Sequence, residues 1–321
     1  MAFEDRRVRT ADGLDLPAWW IPAPGGVRAP AVVLVHGWES ARHRTLPNAR
    51  FLHAIGYHVL TLDVRGHGAN PAEVLPVSAG EFGADALAGV EAALADPAVT
   101  AVVVLGHSMG SVGAALAAAA EPRVAAAILT ATPADPYRMT RETFRLAHIR
   151  LPDPIAVPLA WLTTRVYLRP RGRRPREISA SAAIARYAGP VLAIHGTDDQ
   201  VVPFHHLERI VAAGRAARAS VTDAAPIESL AIPGGMHSWL YEFPAYRAAI
   251  GRFIASALGG PLTPDEAASI AEAIDARRPV EPGHGFSALA PVEPSPPHPA
   301  EPPSNERGDD ADPVVAARSV P

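Results

Sequence analysis

No cysteine occurs in the 321 residues, and no lysine: all 29 basic residues are arginine. The first absence excludes a disulfide framework, a thiolate metal site and a thiol nucleophile. The second excludes a serine–lysine mechanism. With 34 prolines and abundant alanine, it reads as GC-rich coding bias rather than as function. No stretch of about 20 apolar residues exists, which excludes a spanning helix. The start, Met1-Ala2-Phe3-Glu4-Asp5-Arg6-Arg7, lacks the apolar region of a secretory signal. The formal charge of −4 is small, and no nucleic-acid motif occurs. These absences lead us to expect a soluble, cytoplasmic protein with no nucleic-acid partner and no stable membrane insertion. Oligomeric state is not legible.

What is present supports a large core. Hydrophobic residues make up 48% of the chain, enough for one α/β domain with additions. Residues 7–10, a turn at Ala11-Asp12-Gly13, and 14–21 read as a hairpin. Apolar runs at 31–35, 57–62, 101–105, 124–129, 191–194 and 227–232 read as strands. Helical segments separate them, at 46–55, 81–95, 112–120, 204–213 and 246–258. Alternation of this kind implies a parallel sheet covered on both faces. Thr263, Pro264, Asp265 and Glu266 open another helix, expected to run to about Arg277. The last 43 residues hold 11 prolines, seven acids and two arginines, which reads as a disordered acidic tail.

The stretch that organises the chain is Gly106-His107-Ser108-Met109-Gly110. A β-branched run precedes it and an alanine-rich helix follows. A G-x-S-x-G between a strand and a helix is a nucleophile elbow. The turn forces the serine into a strained backbone. The two glycines lack the Cβ atoms that would clash with the flanking elements. A serine needs a base, the base an orienting acid, and the oxyanion its donors. Two further strand ends carry these types: His195-Gly196-Thr197-Asp198-Asp199 and Gly234-Gly235-Met236-His237. In a parallel sheet such ends share one edge.

On these motifs, with His36-Gly37, Asp63-x-Arg65-Gly66-x-Gly68 and Val202-Pro203, the chain resembles the α/β-hydrolase family over about residues 5–258. It looks most like the esterase, prolyl-oligopeptidase-like and lysophospholipase-like branch. The resemblance implies an α/β-hydrolase fold: a mostly parallel sheet of about eight strands with helices on both faces. A small helical cap would lie between strands six and seven. The core would occupy 1–133 and 188–260, the cap 134–187, the extra helix 261–278 and the tail 279–321.

Matching motif positions makes Ser108 the nucleophile, His237 the base and Asp199 its orienter, with the neighbouring Asp198 as rival. Backbone N–H groups of Trp38 and Met109 would form the oxyanion hole. His36, Asp63, Arg65 and His67 read as loop braces, and His107 as packing. No cofactor is called for. His205-His206 could suggest a metal, but no carboxylate or histidine follows at ligand spacing, so none is expected.

The cap holds an apolar run, 155–162, then 166–168, and a basic run, 169–176. One reading is apolar cover for the sheet with solvated arginines. The other is an acyl pocket lined by Trp161 and Tyr167 with a cationic rim. The expected activity is serine-dependent hydrolysis of a small carboxylic ester or acyl substrate through an acyl-enzyme. A thioesterase or serine peptidase on the same triad is the alternative. A non-catalytic binding protein on this scaffold is the third.

Overall fold

The computed structural model describes residues 1–259 and 262–275. The chain opens with an antiparallel hairpin, β1 (Glu4–Arg9) and β2 (Asp15–Ile21). Gly13 takes φ 90° at its tip, and its N–H returns to the Thr10 carbonyl at 3.0 Å. Strands and helices then alternate: β3 (Ala29–Val35), α1 (Leu46–Ala54), β4 (His58–Leu62), α2 (Ala79–Leu94), β5 (Val99–His107), α3 (Met109–Ala120) and β6 (Val124–Thr130). Three helices follow β6: α4 (Pro136–Leu146), α5 (Asp153–Leu168) and α6 (Ala180–Arg186). The chain returns to the sheet as β7 (Val191–Gly196), α7 (His205–Arg218), β8 (Ile227–Ile232) and α8 (Pro244–Leu258), then adds α9 (Pro264–Ala273).

One eight-stranded sheet results, in the order β1-β2-β4-β3-β5-β6-β7-β8. β2 runs antiparallel to both neighbours, and the other pairs are parallel. The continuous apolar runs follow from burial on both faces. In β3, Val33 and Val35 face the side of the sheet that carries α2, α3, α6 and α7, while Val32 and Leu34 face the side that carries α1, α8 and α9. Ser78 caps α2 by accepting the Gly80 N–H, and Glu81 returns a carboxylate to the Ser78 N–H at 2.9 Å. Thr263 and Glu266 repeat this box at α9. Such caps contribute about 1 kcal/mol each.

Two expectations are corrected. α9 ends at Ala273, not near Arg277. Ile274 leaves the helix at φ −69°, ψ 126° to pack on the apolar cluster beneath α8. The proposed tail, 279–321, and residues 276–278 lie outside the described residues. The apolar run at 155–162 does not turn its bulk to the sheet. α5 buries its smaller side chains, Ala156, Ala160 and Thr164, with Leu168, and exposes Ile155, Leu159, Trp161, Leu162 and Val166.

The basic run that follows is partly spent inward. Arg171 pairs with Glu73 at 2.7 Å and donates to the Pro76 carbonyl at 3.0 Å. Arg173 donates to Glu81 at 3.2 Å. These arginines, with the Tyr167 hydroxyl on the Val77 carbonyl at 2.7 Å, clasp the end of α5 and the turn after it to α2 and the loop that precedes it. A rim of free cations is therefore not formed by Arg171 and Arg173.

Candidate active site

Register brings three loops to one edge. Val35 of β3 lies opposite Gly106 of β5, and His107 lies opposite Thr130 of β6. Gly196 of β7 lies opposite Ile232 of β8. Everything just beyond these residues therefore meets at the carboxyl ends of the strands, where open α/β sheets present their ligand sites.

Ser108 sits between β5 and α3 at φ 52°, ψ −121°. A non-glycine residue there carries about 1–3 kcal/mol of strain. Close packing holds it. A Cβ on Gly106 would come 2.3 Å from the Gly110 carbonyl oxygen, and one on Gly110 would come 2.2 Å from that of His36. The Ser108 N–H also donates to the Thr130 carbonyl at 2.9 Å.

His237 bridges the other two groups. Its Nε2 lies 3.0 Å from Ser108 Oγ and its Nδ1 lies 2.8 Å from Asp199 Oδ2. With Nδ1–H donating to the carboxylate, Nε2 is left to accept the serine proton. Asp199 is buried, whereas Asp198 is exposed and accepts the Thr197 hydroxyl at 2.8 Å. Burial alone would raise the Asp199 pKa. Hydrogen bonds from His195 and His237, the His237 charge and the Val202 N–H outweigh it and hold the carboxyl well below its ordinary range.

The neighbouring histidines act as braces. His36 accepts the Val64 N–H at Nε2 (3.0 Å) and donates from Nδ1 to the Gly37 carbonyl (2.7 Å). Burial pushes its pKa down to about 4, consistent with a neutral ring. Asp63 accepts the N–H groups of Arg42 and Ala69 and pairs with the Arg42 side chain. Arg65 spans Asp85 and Asp12 and so ties the loop to α2 and the first hairpin. His107 donates to Thr130 Oγ1 at 3.2 Å and lies 5.0 Å, ring to ring, from His237. Burial drives its pKa down to about 3, so at neutral pH it adds no charge beside His237.

Gly37 packs its Cα face on Ser108, within 3.3 Å of that Cβ were it substituted. Trp38 follows it, and Met109 opens α3, where the first N–H groups have no carbonyl one turn earlier to bind. Both residues share a cavity with Ser108 and His237. This cavity, about 640 Å³, is walled by α3, α4 and α5, with Val112, Met139, Phe144, Tyr167 and Leu168 among its lining. A second cavity, about 360 Å³, lies on the other side of Ser108 and is more polar, with Arg44, Asn48 and Tyr241 at its wall. Tyr167 is on the apolar wall. Trp161 is not: its ring is 48% exposed and stacks under Arg165 at 4.5 Å.

A family model described as serine aminopeptidase, S33, matches residues 27–182. An uncharacterized protein of Mycobacterium tuberculosis is 30% identical over 239 residues, 74% of this chain and 73% of that protein. The esterase Pf2001 of Pyrococcus furiosus superposes with TM-score 0.61 at 21% identity, covering 80% of this chain and 94% of that one. The chain belongs to the α/β-hydrolase family. Est1E of Butyrivibrio proteoclasticus, solved with ferulic acid, gives TM-score 0.61 at 20% identity, covering 79% of this chain and 99% of that one. At these identities the solved structures show the fold.

Two features of this α/β-hydrolase escaped the sequence reading. His195, quoted within a motif but given no role, directs Nε2–H at the Val202 carbonyl (2.8 Å) and at Asp199 Oδ2 (3.2 Å). Its position four residues before the acid was the available signal. Glu142 of α4 also meets His205 and His206, with candidate ligand atoms within 4.8 Å of one another. The carboxylate missing from the local sequence thus arrives from the cap. Yet His206 Nδ1 accepts the Ala134 N–H at 3.0 Å. The neutral ring then carries its proton on Nε2, which has no lone pair left for a metal.

Proposed function

We propose that the chain is a serine hydrolase of carboxylic esters with an apolar acyl group. One observation carries the reading: His237 lies within hydrogen-bond reach of both Ser108 Oγ and Asp199 Oδ2, at an elbow serine held at positive φ. His237 Nε2 takes the Ser108 proton as Oγ attacks the carbonyl carbon. Asp199 holds the tautomer and stabilises the imidazolium that forms. The developing oxyanion accepts the N–H groups of Trp38 and Met109. His237 then returns the proton to the leaving alkoxide, and a water activated by the same ring hydrolyses the acyl-enzyme.

The cavity under α4 and α5 suits an aliphatic or aromatic acyl group. Asp135, the acid among its lining residues, is engaged by Ser179 and lies near Arg138 and Arg209, so it is not free to bind a peptide amine. This favours an ester over an aminopeptidase substrate. The test is labelling with a fluorophosphonate probe, followed by parallel ester, thioester and peptide panels. Labelling lost in Ser108→Ala, with ester turnover dominant, supports the reading. Absence of labelling in the wild-type chain refutes it and favours a binding protein.

A further inference from the structure

α5 is inverted. At 100° per residue, the buried Ala156, Ala160, Thr164 and Leu168 form one stripe. Ile155, Leu159, Leu162 and Val166 recur at i, i+4, i+7 and i+11, and this second stripe lies on the opposite side of the helix. All four are exposed, at 55%, 40%, 54% and 63%. Trp161, Leu146 and Ile149 are further exposed apolar residues of the α4–α5 segment. Isolated exposed aliphatics are ordinary, but a contiguous patch of this kind marks an interaction surface.

Charge names the occupant. Residues 134–187 hold eleven arginines against four acids, a surplus of seven positive charges in a chain whose net charge is −4. The rest of the chain is thus strongly acidic, and the segment that carries the apolar stripe is its basic part. Arg150, Arg165 and Arg169 are exposed next to it. A second copy of the chain docking through this face would bring the same arginines together across a two-fold axis, which like charges oppose. An anionic lipid surface satisfies both features, with aliphatic side chains at the acyl boundary and arginines among the phosphates.

We propose that α5 docks the protein peripherally on anionic phospholipid bilayers. Among the described residues no helix is long and apolar enough to cross a membrane, so the attachment is interfacial. The other side of the same helix lines the apolar cavity through Thr164, Tyr167 and Leu168. One helix therefore separates the bilayer from that cavity. Docking through this surface does not depend on the chemistry at Ser108, and its readout is binding.

The experiment is flotation of the full chain with vesicles of phosphatidylglycerol and phosphatidylcholine, against phosphatidylcholine alone. Wild type should float with the anionic vesicles, and raising the salt to about 0.5 M should weaken this. Replacing Ile155, Leu159, Leu162 and Val166 by Ser should cut the bound fraction roughly tenfold or more. Circular dichroism melting checks that this variant folds. Should it not, Arg150→Gln with Arg165→Gln decides, since it leaves the stripe intact and should weaken binding to anionic vesicles alone. Equal flotation of wild type and folded variants, or no flotation of wild type, overturns the proposal. So does a concentration-dependent dimer that the serine variant dissociates without any vesicle binding.

Discussion

His195 shares the Asp199 carboxylate with His237. Its Nε2 lies 3.2 Å from Asp199 Oδ2, the same oxygen that accepts His237 Nδ1–H at 2.8 Å. The other oxygen is occupied by the N–H groups of Val201 and Val202. The carboxylate thus has little freedom to rotate away from His237. His195 is in this sense a positioning residue. We expect His195→Ala to lower kcat by roughly tenfold with KM little changed, and His195→Gln, which keeps a donor, to recover part of it. Steady-state kinetics on a soluble ester check this. A drop in KM and kcat together, or no recovery with Gln, would assign His195 a packing role instead.

Asp198 and Asp199 stand side by side in sequence but face different partners. Asp199→Asn should lower kcat by roughly 10³- to 10⁴-fold, because an amide stabilises the wrong tautomer of His237. Asp198→Asn keeps an acceptor for the exposed Thr197 hydroxyl and should retain most activity. Kinetics of the two variants under one set of conditions read the difference.

The folded pKa of Asp199 lies below its ordinary value of 3.8, because hydrogen bonds and the His237 charge outweigh burial. The unfolded chain therefore takes up the proton first. The stability this group contributes is complete above about pH 5 and is lost as pH falls through the folded value. The gap in Tm between wild type and Asp199→Asn should accordingly narrow on acidification below about pH 4. Thermal melts across that range measure it. A constant gap would mean the carboxylate is not specifically stabilised.

The meeting of Ser108, His237 and Asp199 was legible because each follows an apolar strand and sits beside glycines whose close contacts demand them. Gly196, for example, has the Gly235 carbonyl oxygen 2.0 Å from where a Cβ would be. The phase of α5 was not legible. Two stripes at helical spacing occur in it, and composition favours burying the bulkier one. The backbone instead packs on the smaller one. Glu142 beside His206, and the Arg171 and Arg173 clasp, were hidden because they depend on how the cap folds back. No local pattern reports a partner that far along the chain.

That clasp sets the next expectation. Arg171 is largely buried against Glu73 and backbone carbonyls, so its bonds are charge-assisted and only partly screened. Arg171→Gln should destabilise by about 1–2 kcal/mol, more than a surface pair would. Arg174 at the exposed end of the run should matter little, since its pair with Glu177 is 4.0 Å apart. Denaturant titration of both variants checks the contrast. Limited proteolysis should also cut the α4–α5 segment faster in Arg171→Gln.

The apolar cavity gives the last prediction. Met139 projects from α4 into the space that opens at Ser108 and His237. Met139→Trp should shorten that space while leaving the reacting groups alone. Each buried methylene of an acyl chain is worth about 0.8 kcal/mol, a factor of roughly four in kcat/KM. Wild type should therefore gain severalfold per added carbon until the cavity is filled. The Trp variant should match it on acetyl and propionyl esters, then stop gaining at a shorter chain. A series of p-nitrophenyl esters of increasing length reads the break point. The same break in both proteins would place the acyl chain elsewhere, with the more polar cavity on the far side of Ser108 as the site to test.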